Sequence, residues 1–192
     1  MNGASKRKVP DAGMRSRARV RRTARFAAGL GLLPSRGERF ARRAGKGAES
    51  PAPPDFTELA GWPQWPALSA SEQSQVFALT ALLASGKALA QVISGRDLRL
   101  YAAPFGEVLF ERALALDEAA KGTLPLPPPA ELAAAGQALA RKGLPPVLQA
   151  ALPAPPAASY ASVSIDSGLA AYHTAQAEHL LFGGPQPASP QP

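Results

Sequence analysis

The 192-residue chain contains no cysteine. That excludes disulfides, thiolate zinc sites and cysteine nucleophiles, and with them the disulfide-stapled secreted scaffold. Histidine is almost as scarce: there are two, His173 and His179. A six-residue step along a helix turns the second about 240° from the first, so the two share no face, and the spacing of three or four that suits a helical zinc pair is missing. Both read as ordinary polar surface positions. Aromatic residues make up 6% of the chain, which leaves little large apolar area for a core.

Long apolar runs are lacking too. The run FAAGLGLL, Phe26 to Leu33, is far shorter than the roughly 20 residues a membrane span needs. It could serve as the short core of a signal peptide behind the arginines, with RRTARF as a faint twin-arginine motif. However, the basic PSRGERFARR follows it and no A-x-A cleavage site stands in place. Export is not expected, and with its Ala, Arg, Gly and Pro bias the chain reads as a cytoplasmic bacterial protein.

Motifs that carry chemistry are missing as well. There is no G-x-S-x-G, and the G-x-G in GLGLLPSRG lacks the preceding strand, the third glycine and the P-loop lysine. Glu107 and Glu111 would share a helix face, but without a histidine and beside Arg112 they read as a solvated surface. No catalytic residue, metal or cofactor is expected, because no convergent polar constellation is visible.

What the chain does have is proline, glycine and an uneven charge. Pro and Gly together make up about a fifth of it, close to the composition of low-complexity chains. Residues 1–50 carry 14 Lys and Arg against 3 acids, whereas residues 51–192 carry 7 against 11. The basicity belongs to an arm, not to a domain. Its centre, MRSRARVRRTARFAAGL (14–30), holds Arg15, Arg17, Arg19, Arg21, Arg22 and Arg25 and no acid. Arginine offers planar, multi-donor contacts to phosphate, and such an arm would bind a polyanion through counterion release with little sequence preference. Only Phe26 and Phe40 interleave it, so base stacking is not expected. As a helix, residues 15–43 would put arginines on nearly all sides, unlike a membrane-surface helix with one clean apolar face. Two plainer readings compete: a solubilising tail, or residues upstream of a true start at Met14.

ESPAPPD (49–55) reads as a linker, and a helical domain is expected after it. Trp62 and Trp65 each precede a proline, which favours extended backbone. Ser69 with Glu72 forms a capping box ahead of Val76, Leu79 and Leu83, with Phe77 and Leu82 widening the face. ASG (84–86) should kink this helix, and SGRD (94–97) should end it. RDLRLYAA makes a turn or short helix. Pro104 then opens a helix with Phe105, Val108, Leu109, Ala113 and Leu116 on its apolar face. LPLPPP breaks the chain, and a further helix runs from Pro129 to a Gly143 cap. LPPVLQAALPAPP allows one or two turns, and the last helix runs from an Asp166 cap to Gly183. SYASVSI is the sole strand candidate. The P-x-x-P matches at 51–54, 125–128 and 153–156 lack flanking arginines and read as stiff linkers.

The expected fold class is therefore all-α. A small irregular domain of four to five helices (56–183) is flanked by a disordered basic arm and linker (1–55) and a disordered Pro-rich tail (184–192). The first functional expectation is a non-enzymatic adaptor that docks on a protein partner through Trp62, Trp65, Phe105 and Phe110, all large interface-prone rings. The plainer role for the tryptophans is to pin the lead-in segment onto the helices. The alternative function is nucleic-acid association through the six arginines named above.

Overall fold

The computed structural model describes residues 12–33, 54, 56–92, 94–117, 121–152, 165–183 and 186–187. Nine α-helices and no strand occur among them. These are α1 (Ala12–Gly29), α2 (Phe56–Gly61), α3 (Ala70–Ala84), α4 (Gly86–Leu89), α5 (Gly95–Ala102), α6 (Glu107–Leu114), α7 (Leu132–Lys142), α8 (Pro146–Ala151) and α9 (Ser167–Phe182). None among the described residues is long and apolar enough to cross a membrane. The strand candidate and most of the C-terminal tail lie outside the described residues. Contacts divide the chain into two units, Met1–Trp62 and Pro63–Pro192, so the division falls between the tryptophans, later than the composition of the linker places it.

In the larger unit, α3 starts where the capping box predicts. The Ser69 backbone N–H donates to Glu72 Oε2 at 2.9 Å, and the Glu72 N–H donates to Ser69 Oγ at 3.4 Å. These two bonds meet the need of a helix start for partners to its free N–H groups. Every residue from Val76 to Ala84 is buried. The mixture of small and large side chains on all sides lets neighbouring helices approach from several directions. α7 comes so close that a Cβ on Gly136 would collide with the Phe77 carbonyl oxygen, which is why glycine stands there. α9 packs against both, and these three helices form the core.

The proline-rich stretch after residue 121 does more than break the chain. The last carbonyls of α3 have no partner inside the helix. The Gly122 N–H donates to Leu83 O and the Leu124 N–H to Ala84 O, both at 2.9 Å. The prolines that follow cannot donate but still accept: Ser85 Oγ donates to Pro125 O and the Tyr101 hydroxyl to Pro127 O, each at 3.0 Å. The 125–128 P-x-x-P match is thus a strap bound to its own unit.

α6 begins three residues later than the proline predicts. The Gly106 N–H closes α5 by donating to Ala102 O at 2.8 Å, and Gly106 then takes φ +87°, a turn that glycine adopts without strain. α9 has the predicted bounds. Asp166 Oδ1 accepts from the Gly168 and Leu169 N–H groups, and Gly183 ends the helix at φ +63°.

In the smaller unit, residues 12–29 form α1 where an unstructured arm was expected. A stripe of Val20, Thr23 and Ala27, spaced three and four apart, is buried, and α1 packs on α2. Arginines on the intervening positions hide that stripe in the sequence. The rest of the expected arm, residues 1–11 and 34–53, lies outside the described residues.

Candidate functional site

The four aromatic residues expected at a partner surface lie mostly inside. Trp62 and Trp65 are 2% and 4% exposed, and Phe110 is buried as well. Trp65 meets Phe77 of α3 edge-on, with centroids 5.0 Å apart. Phe105 is half-buried and stacks on Phe110 at 6.3 Å. The exposed large apolar side chains are others: Val108 at 75%, Leu100 at 51% and Val147 at 40%. The helical pattern had placed Val108 on the buried face. The later start of α6 changes which residues its two turns can present inward, and Phe110 and Ala113 take that face. α5 and α6, which carry Leu100 and Val108, pack on each other. The same two helices carry the exposed Arg96, Asp97, Arg99, Glu107, Glu111 and Arg112, charges of both signs.

α9 carries four of the buried polar side chains among the described residues, His173, Thr174, Gln176 and Glu178. Glu178 Oε1 accepts the Gln64 N–H at 2.6 Å and the Trp65 N–H at 2.7 Å. These are donors at the start of the 3-10 turn Trp65–Ala67, which lack partners within the turn itself. The carboxylate therefore ties the lead-in segment to the C-terminal helix. Thr174 Oγ1 donates to Ala170 O at 2.8 Å and Gln176 Nε2 to the Tyr172 hydroxyl at 2.9 Å. His173 differs from both expectation and neighbours. It was predicted at the surface, yet it is 1% exposed, because α9 is covered nearly all round and offers no outer face at that position. Among the described residues neither ring nitrogen has a hydrogen-bond partner, and the ring sits edge-on to Tyr172. Burial pushes its pKa down to about 4, so it is neutral at pH 7.

Among the described residues no group of three or more His, Asp and Glu side chains could hold a metal. A cavity of about 20 Å³ lies between α3, α7 and the strap, lined by Ala81, Ser85, Leu124 and Pro125 among others. That is room for a water molecule, whereas substrate pockets are on the order of 300 Å³ or more. The hydroxyl of Ser85 is already committed to Pro125 O. Burial raises the pKa of the Tyr101 phenol, and Asp97 adds to the effect.

No family model, curated protein or solved structure matches this chain. Any functional reading therefore stands on the residues themselves.

The arginine helix remains. Arg17, Arg21, Arg22 and Arg25 are exposed. At 100° per residue they cover an arc of about 140°, and the buried Val20, Thr23 and Ala27 stripe lies on the opposite side. Arg19 falls between the two, half-buried, and its Nη2 donates to Trp62 O at 3.2 Å. Arg15 is on the helix, but its side chain is outside the described residues. The sequence predicts arginines on nearly all sides; of the five whose side chains are described, four share one outer face and Arg19 lies beside it, half-buried.

Proposed function

We propose that the protein is a non-enzymatic helical adaptor, and that its protein-binding surface is built from α5 and α6. The observation that carries this reading is the exposure of Val108 and Leu100 on two helices packed side by side. Single exposed apolar residues are ordinary. Two branched side chains exposed on adjoining short helices that also carry exposed charges of both signs fit the apolar and polar parts of a protein interface. Covering the exposed part of each would contribute about 1–2 kcal/mol. The tryptophans and Phe110 have no part in this surface and serve the fold.

The test is site-specific photocrosslinking in the organism's own cells, with the reactive residue at Val108 or, as a control, at the exposed Ser71 at the start of α3. A discrete crosslinked species from position 108 and none from position 71 is the expected result. Crosslinks from neither, or equally from both, would remove α5–α6 as the docking surface.

A further inference from the structure

We infer that the outer face of α1 is a binding site for the phosphodiester backbone of duplex nucleic acid, contacted by Arg17, Arg21, Arg22 and Arg25. This site is separate from α5–α6 and does not depend on the adaptor reading. Arg17, Arg21 and Arg25 follow one another at four-residue steps, rising about 6 Å each along the helix, and Arg22 flanks the row. No acid occurs between residues 14 and 30, so no neighbour along α1 opposes the charge of the face. A row of planar cations held on a helix complements a line of phosphates, and guanidinium groups can bind phosphate oxygens in pairs.

The same geometry favours nucleic acid over a lipid surface. A helix that lies in a membrane inserts its apolar face. Here that face is already covered, with Val20, Thr23 and Ala27 each less than a tenth exposed. No aromatic residue stands on the exposed arc, so bases are not stacked and binding is independent of sequence. Arg19 is a positioning residue: bonded to the Trp62 carbonyl, it holds α1 to the lead-in segment and leaves the contact to the other four.

The experiment uses the full chain and a labelled 30-base-pair DNA duplex of mixed sequence, read by fluorescence anisotropy across salt. Four phosphate contacts correspond to a log–log slope of about −3.6, or an affinity about 100-fold weaker at 200 mM than at 50 mM salt. R17Q/R21Q/R22Q/R25Q is expected to lose this share of the slope. R17K/R21K/R22K/R25K keeps the charges and should bind within several-fold of the parent. R39Q/R42Q/R43Q/K46Q removes as many charges from another part of the arm and should cost clearly less. Circular dichroism of each variant shows whether helix content is kept, and the Lys variant with the slope of the unmodified chain tests the site even if the Gln variant unfolds. Equal losses in both Gln variants would mean a diffuse polycation and would overturn the site. So would a flat salt dependence in the unmodified chain, or phosphatidylserine vesicles that displace the duplex at equal phosphate concentration.

Discussion

On α1 four arginines lie outside and Val20, Thr23 and Ala27 inside; on α9 a carboxylate, a histidine, a threonine and a glutamine are all interior. Both helices are rich in residues that prefer water. The difference lies in what each environment offers them. An ion leaves water at a large cost unless donors or opposite charge meet it. For Glu178 two backbone N–H groups do so, at 2.6 and 2.7 Å. On α1 the one described guanidinium with a backbone partner, Arg19, is also the one drawn halfway in. For these charged groups depth thus follows the partner waiting for them, whereas His173, without a partner, is buried as a neutral ring.

The interior side of this contrast should break hardest at Glu178. Glu178→Ala leaves two buried N–H groups without their acceptor, at roughly 1–3 kcal/mol each, for a total of about 4 kcal/mol. Urea unfolding of the variant reads the loss directly. A cost under about 1 kcal/mol would show that water reaches both groups, and that the clamp adds little.

His173 sharpens the comparison through pH. Its folded pKa of about 4 lies below the unfolded value of 6.5, so between these values the unfolded chain binds more protons. Stability contributed by the neutral ring is complete above pH 6.5 and falls as the pH drops through the window. The loss is about 2 kcal/mol by pH 5 and approaches about 3 kcal/mol near pH 4. Unfolding measured at pH 7 and pH 5 for the parent and for His173→Phe should show the difference narrowing in the variant. An unchanged difference would assign the acid sensitivity to other groups.

The smallest effect belongs to the outside of α1. Arg25→Gln removes a solvated charge and keeps a good helix former, so thermal stability should stay within about 0.5 kcal/mol of the parent. A larger loss would mean that Arg25 supports the fold, and its assignment to phosphate would need revision.

Features written within a few residues of one another were legible in the sequence. The Ser69–Glu72 box, the Asp166 cap and the Gly183 stop depend on groups no more than four apart, so their signatures are local. The all-α class was readable for the same reason. The depth of α9 was not. Its buried residues face several neighbours at once, and no period separates an inner face from an outer one. Glu178 binds Gln64 and Trp65 across more than a hundred residues, which leaves no local mark on either side. The role of the proline strap was hidden similarly, because its partners are carbonyls of α3 and hydroxyls of Ser85 and Tyr101. On α1 the count of arginines was plain, but the stripe that turns four of them outward is only Val20, Thr23 and Ala27, too slight to stand out among the basic residues. Val108 was placed on the wrong face because three residues assigned to its helix belong to the turn before it.

The clamp at Glu178 also orders events during synthesis. Trp65 leaves the ribosome 113 residues ahead of its acceptor. At about 5–20 residues per second that is a delay of roughly 6–23 s. Until residue 142 is made, α3, buried from Val76 to Ala84 in the finished molecule, has neither α7 nor α9 complete above it, and after that it still lacks α9. For that interval the nascent chain presents an uncovered apolar helix of the kind that holdase chaperones bind, and arrival of the last helix closes it off.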